Sequence, residues 1–308
     1  MPPDDAAAAT AGTSCGFVAL IGAPNAGKST LLNGLVGAKV SIVSRKVQTT
    51  RGLVRGIALE GDAQIVFVDT PGIFAPRRRL DRAMVSSAWG GAGDADVVCL
   101  LVDARRGPDE ETDAILSRLP QVRRPKMLIL NKIDTIERSK LLGLTAALNE
   151  RLPFERTFMV SALNGDGVDD FRRALAGLMP PSPWLYPADQ VSDAPLRSLA
   201  AEITREKIFE RLHQELPYHS TVETDSWQER PDGSVRIEQT VFVERDSQRM
   251  IVLGKGGATI KAIGQAARRD IAEAAETNVH LFLHVKVREN WADDPARYRE
   301  MGLDFPRE

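Results

Sequence analysis

Only two cysteines occur in the 308 residues, Cys15 and Cys99, and they lie far apart. Neither has the spacing of a metal-ligand pair, and such usage fits a reducing cytoplasm. Cys99 sits inside an apolar run and is expected in the core. No apolar stretch approaches the length of a transmembrane helix. Residues 1–15 hold two acids, no base and no Leu, Ile or Val, which excludes a signal or transit peptide. They are expected to form a disordered tail. The formal net charge is only −2, so bulk electrostatics gives no general affinity for nucleic acid. Any such function must rest on a local patch.

What is present is a globular composition, 43% apolar and 27% charged, in a chain long enough for two domains. The strongest signal is Gly22-Ala23-Pro24-Asn25-Ala26-Gly27-Lys28-Ser29, which matches G-x-x-x-x-G-K-[ST]. The apolar run Phe17–Ile21 before it reads as a buried parallel strand. After it, Thr30 to Val36 carries apolar residues at helical spacing. A loop between such elements turns successive N–H groups toward a polyphosphate, aided by the helix N-terminus. Lys28 is placed to reach the β- and γ-phosphates, and the Ser29 hydroxyl to coordinate Mg²⁺.

Further signals follow in order. Ser44-Arg45-Lys46-Val47-Gln48-Thr49-Thr50-Arg51 lacks periodicity and reads as a loop, within a stretch running from Val43 to Gly56. A threonine here is a candidate Mg²⁺ and γ-phosphate contact. Ile65–Val68 reads as a buried strand ending in Asp69-Thr70-Pro71-Gly72, which puts a carboxylate at the sheet's carboxyl edge beside the phosphate loop. Asp69 is assigned to the Mg²⁺, and the Gly72 N–H to the γ-phosphate. In Ras-like GTPases the next residue is a glutamine that orients the attacking water. Here it is Ile73, which cannot, so the unaided reaction should be slow. Asn25 is a candidate ligand for a cation that would position the water. Arg77-Arg78-Arg79 reads as a solvated face.

Val97–Asp103, Met127–Leu130 and Thr157–Val160 read as further strands. The sequence after the second, Asn131-Lys132-Ile133-Asp134, selects the base. The Asp134 carboxylate can accept two parallel hydrogen bonds from guanine N1–H and its 2-amino group, an edge adenine lacks. Asn131 would brace the loop and face the purine's other edge, and the Lys132 stem would lie along the ring plane. After the last strand, Ser161-Ala162-Leu163 offers the Ala162 N–H to guanine O6. Residues 16–180 therefore read as a guanine-nucleotide-binding P-loop domain: α/β, a mostly parallel sheet with helices on both faces.

Residues 181–195 are proline-rich and read as a linker. Residues 196–303 show an α-β-β-α-α-β order, the arrangement of the type II KH fold, an α+β domain. Its Gly254-Lys255-Gly256-Gly257 fits the GXXG loop that clamps single-stranded RNA through backbone contacts. His280 and His284 share a strand face without a metal-binding partner and read as packing or groove residues.

A GTPase domain joined to a C-terminal KH domain resembles the Era-like GTPases of bacteria. The resemblance is carried by residues 22–30, 44–51, 69–72, 131–134, 215–218, 252–257 and 285–294, and spans about residues 16–303. It implies a GTP-dependent factor in assembly of the small ribosomal subunit. The KH domain would bind the 3′ end of 16S rRNA, and GTP would favour the RNA-binding form. By motif position, Thr50 would be the switch threonine on Mg²⁺ and Asn25 the residue associated with use of K⁺. A monomer in the cytoplasm is expected, with peripheral contact at the inner face of the cell membrane also implied. Ala26 stands where valine is usual, a conservative departure. Three other readings stay open: a GTPase acting chemically on RNA, an RNA-binding protein whose nucleotide site is structural, and an ATP-using P-loop protein.

Overall fold

The computed structural model describes residues 12–46, 48–212 and 216–306. Residues 1–11, the bulk of the expected tail, lie outside them, as do Val47, residues 213–215 and the last two residues. The tail expectation is corrected at its end, because Ser14 and Cys15 already belong to the first strand.

The first unit is a six-stranded sheet in the order β2-β3-β1-β4-β5-β6. Its strands are β1 (Ser14–Gly22), β2 (Val54–Glu60), β3 (Ala63–Asp69), β4 (Val97–Asp103), β5 (Lys126–Asn131) and β6 (Arg156–Val160). All neighbours are parallel except β2, which pairs antiparallel with β3. Strand β2 begins inside the stretch up to Gly56 that reads as loop in the sequence, which gives no sign of this edge strand. The polar run before it masks the apolar Ile57-Ala58-Leu59, and Gly61, with φ of 58°, closes the hairpin turn.

Helices α1 (Lys28–Val36) and α5 (Val168–Ala176) cover one face of the sheet. The other face is covered by α2 (Arg79–Asp94), α3 (Glu110–Arg118) and α4 (Arg138–Arg151). The period-2 geometry of β1 therefore serves two cores: Val18 and Leu20 point into one, Ala19 and Ile21 into the other, all at 0% exposure. Each such large aliphatic side chain contributes about 1.5–3 kcal/mol by leaving water. Cys99 lies in the first of these cores, as its apolar neighbours suggest.

The proline-rich segment is not a free linker along most of its length. Residues as far as Asp193 cluster with the first unit. The Gln64 carboxamide, fully buried on β3, accepts from the Leu185 and Tyr186 amides at 2.8 and 3.0 Å and donates to the Tyr186 carbonyl at 2.8 Å. The Trp184 indole donates to the Asp62 carbonyl, and Ile57 N–H on the sheet edge donates to the Val191 carbonyl. Thus proline's missing donors are offset by side-chain and edge-strand partners.

The second unit comprises Ala194–Phe305 together with Ile42–Thr49. Its sheet runs β7 (Ser220–Glu229), β8 (Val235–Val243), β9 (Val279–Val287), with β7 antiparallel and β9 parallel to β8. Helices α6 (Leu196–Arg211), α7 (Asp246–Leu253) and α8 (Ala258–Ala274) pack on it, with Ile203, Ile237 and Ile271 in one cluster and Ile208, Val241 and Ile263 in another. This is the type II KH order. A short helix α9 (Pro295–Glu300) follows, and buries Tyr298 completely. The excursion Ile42–Thr49 is anchored to α6: Glu206 accepts from Val43 N at 2.7 Å, Lys46 donates to the Phe209 and Leu212 carbonyls, and Arg205 to that of Thr49. Among the described residues no helix is long and apolar enough to cross a membrane.

Gln64→Leu tests the anchoring of residues 181–193. It strands two backbone amides and a carbonyl, so it should destabilise the first unit by about 2–4 kcal/mol. Denaturant unfolding and limited proteolysis of this segment measure the effect; wild-type stability with no new cleavage would show that the segment is held otherwise.

Candidate functional site

The motifs meet because each stands at the carboxyl end of a parallel strand: Gly22 on β1, Asp69 on β3, Asp103 on β4, Asn131 on β5 and Ser161 just past β6. In an open α/β sheet this edge is where ligands bind. The loop between β1 and α1 needs its glycines. At Gly22 a Cβ would lie 2.5 Å from the Leu101 carbonyl oxygen; at Gly27, with φ of 98°, it would lie 2.2 Å from Asn131 Nδ2. Asn25 is also left-handed, with φ of 62°. Thr30 lies half-buried in the first turn of α1.

The Lys28 ammonium is buried and donates to the Gly22 and Ala23 carbonyls, each at 3.0 Å. Burial pulls its pKa down to about 8, against the opposing pull of the Asp69 charge. Asp69 shows the complementary perturbation: burial pushes its carboxyl above the ordinary range, while Lys28 and the Ser29, Ser41 and Thr50 hydroxyls pull it back. Its Oδ2 accepts from Ser29 Oγ at 2.6 Å, Ser41 Oγ at 3.0 Å and Thr50 Oγ1 at 3.5 Å, with Ser29 and Thr50 3.0 Å apart. Its Oδ1, equally buried, accepts no hydrogen bond from any described residue. One uncommitted carboxylate oxygen beside two hydroxyls is a hard, all-oxygen donor set that suits Mg²⁺.

Gly72 follows β3 against the phosphate loop, where a Cβ would sit 2.9 Å from Pro24 Cα, and the Ile73 N–H donates to the Gly22 carbonyl at 3.1 Å. The Ile73 side chain is buried in the core with Ala19 and Ile21. Arg77 and Arg78 are exposed at the start of α2, where the Asp81 carboxylate accepts from both of their backbone amides, at 3.1 and 3.0 Å.

The base-recognition loop is tied to the phosphate loop. Asn131 Nδ2 donates to the Ala26 carbonyl at 2.9 Å, and Lys132 Nζ to that of Asn25 at 2.6 Å. Asn131 Oδ1 accepts from Lys132 N at 2.8 Å and Ala162 N at 3.0 Å. The Ala162 N–H expected on guanine O6 here donates to Asn131, whose carboxamide braces three segments. Asp134 is exposed, with Oδ1 accepting from Ser161 Oγ at 2.6 Å; Leu163 is 78% exposed beside it. Two residues to which the sequence reading gave no role enter the site. Ser41, on Asp69, has no recognisable signal, but Asp103 stands at a strand's carboxyl end like the recognised residues.

In the second unit, Gly254-Lys255-Gly256-Gly257 joins α7 to α8, with φ positive at all three glycines. A Cβ at Gly254 would meet Thr259 Oγ1 at 2.1 Å, so the loop folds tightly onto the start of α8, with Lys255 exposed.

Two family models match the chain: a 50S ribosome-binding GTPase over residues 17–132 and a KH domain over residues 215–292. The GTPase Era of Afipia carboxidovorans is 72% identical over 296 residues, 96% of each chain. The chain belongs to the Era family of GTPases. The Era of Bradyrhizobium sp. BTAi1 is 70% identical over the same share. Two solved structures, Aquifex aeolicus Era Y63A bound to GDP·AlF4⁻ and Era in complex with MgGDPNP and nucleotides 1506–1542 of 16S ribosomal RNA, each superpose with a TM-score of 0.89. Each is 34% identical and covers 94% of this chain and 99% of its own. The Era relationship spans both domains, so the P-loop and KH assignments stand together.

Asp134→Asn should weaken GDP binding on the order of a hundredfold and lessen the preference for guanine over hypoxanthine, because the 2-amino group loses its charged acceptor. Competition between GDP and IDP in a fluorescence assay measures both; an unchanged preference would remove Asp134 from base recognition.

Proposed function

We propose that the chain is a GTP-hydrolysing switch that binds the 3′ end of 16S rRNA through its KH domain during small-subunit assembly, as a monomer in the cytoplasm. The observation that carries the catalytic half is the buried Asp69 carboxylate, with one oxygen uncommitted and the other shared by Ser29 and Thr50. The backbone N–H groups that the 22–29 loop offers on either side of Pro24 cradle the phosphates, with Lys28 exchanging its loop carbonyls for phosphate oxygens. Ser29, Thr50 and Asp69 would hold Mg²⁺, which when bound would supply positive charge toward the phosphates. The Gly72 N–H faces the γ-phosphate, while Asp134 selects guanine.

Water attack on the γ-phosphorus needs orientation. Ile73 is committed to the core, so the unaided rate should stay on the order of the 10⁻³ s⁻¹ or less typical of slow GTPases. Asn25, at the crest of the phosphate loop, is the candidate ligand for K⁺ at the developing charge between the β- and γ-phosphates. For RNA, the positive-φ glycines at 254, 256 and 257 expose backbone to an approaching phosphate, and Lys255 adds charge. The two Era structures solved with a GDP or GTP analogue, one of them with 16S rRNA, support the same pairing of ligands.

GTP turnover with a short RNA copying the 3′ end of 16S rRNA is the test. In K⁺ buffer we expect stimulation of about tenfold over a scrambled RNA, and slower turnover when Na⁺ replaces K⁺. Binding of both RNAs with equal affinity would overturn the rRNA reading. Equal rates in the two salts would remove Asn25 from catalysis.

A further inference from the structure

Lys132 and Asn25 are two of the few non-glycine residues held at positive φ, 67° and 62°. Such backbone is strained where it is not over-determined by its surroundings. Here one ammonium connects them: Lys132 Nζ donates to the Asn25 carbonyl at 2.6 Å. The same Nζ lies 2.6 Å from Asp103 Oδ2, at the end of β4. The Asp103 carboxylate is 13% exposed and divides its work. Its Oδ1 accepts from the Arg105 and Arg106 amides at 3.0 and 3.3 Å, closing the turn after β4. Its Oδ2 is left for the ammonium.

A lysine stem otherwise rotates freely, and laying it along a purine would cost rotamer freedom. With the ammonium clamped between a carboxylate and a carbonyl, that cost falls on folding rather than on nucleotide binding. We propose that Asp103 is a positioning residue for guanine-nucleotide affinity: it acts through Lys132, holding the stem as a preformed floor for the base and fixing the Asn25 corner of the phosphate loop. This rests on the nucleotide-site reading given above. It does not touch the base edge, so it contributes to affinity without contributing to the choice of base.

Asp103→Asn separates the two jobs of the carboxylate. The amide oxygen still closes the turn, while the charge facing Lys132 is lost. GDP and IDP affinities should both fall by about tenfold, in parallel, as suits removal of one partner from a half-buried ion pair. In turnover the loss should fall on KM more than on kcat. In a Lys132→Gln background the same substitution should cost less than twofold. A loss below threefold in the wild-type background, or an equal loss in both, would overturn the proposal; in the second case Asp103 acts only through its turn. Thermal unfolding checks the variant's integrity. Should it not fold, Asp103→Ser, which keeps an acceptor for the turn amides, takes its place in the same cycle. Absence of guanine-nucleotide binding in the wild-type protein would instead reject the nucleotide-site reading, leaving the two failures distinguishable.

Discussion

The site depends on one buried carboxylate. Asp69 is fully enclosed at the end of β3, where an unpaired charge would cost several kcal/mol. Its surroundings answer that cost: three hydroxyls converge on one oxygen, and the Lys28 ammonium supplies opposite charge from the phosphate loop. These partners come from α1 and from the two ends of the excursion between Ser41 and Thr50. The carboxylate thereby fixes where the chain leaves the first unit and where it returns. Within the second unit, Val43, Lys46 and Thr49 of the excursion hydrogen-bond to α6 and its end.

The phosphate loop has a second set of supports on its other flank. Asn131 and Lys132 donate to successive carbonyls, those of Ala26 and Asn25. The 22–29 loop and the loop after β5 are therefore two ends of one hydrogen-bonded frame. The glycines mark where the frame closes most tightly, as at Gly27, whose missing side chain leaves room for the Asn131 amide.

Much of this was legible in the sequence. Motifs at strand ends are readable because parallel strands place consecutive carboxyl termini along one edge, so order along the chain becomes proximity in space. The KH order was readable for a similar reason, since alternating and helical periods mark its elements. What escaped has a common physical cause. Strand β2 was hidden by the polar run preceding it. The Asp103 carboxylate finds its partner beyond the end of the neighbouring strand, at a separation that no periodicity encodes. The segment Ile42–Thr49 joins the second unit through helix-end carbonyls and a buried glutamate, groups whose availability depends on α6 being already folded.

The proline-rich segment was misread for a related reason. Composition reports stiffness, but it does not report that one carboxamide on a neighbouring strand can satisfy the backbone of two consecutive residues. Because Gln64 does so, and because the edge of β2 borrows the Val191 carbonyl, the chain up to Asp193 completes the first domain's outer strand layer. Cutting the protein at the onset of the prolines would leave an aggregation-prone sheet edge and a buried amide with nothing to bind. An isolated first unit is therefore expected to need the chain as far as Asp193, because the sequence that looks like connector clusters with it.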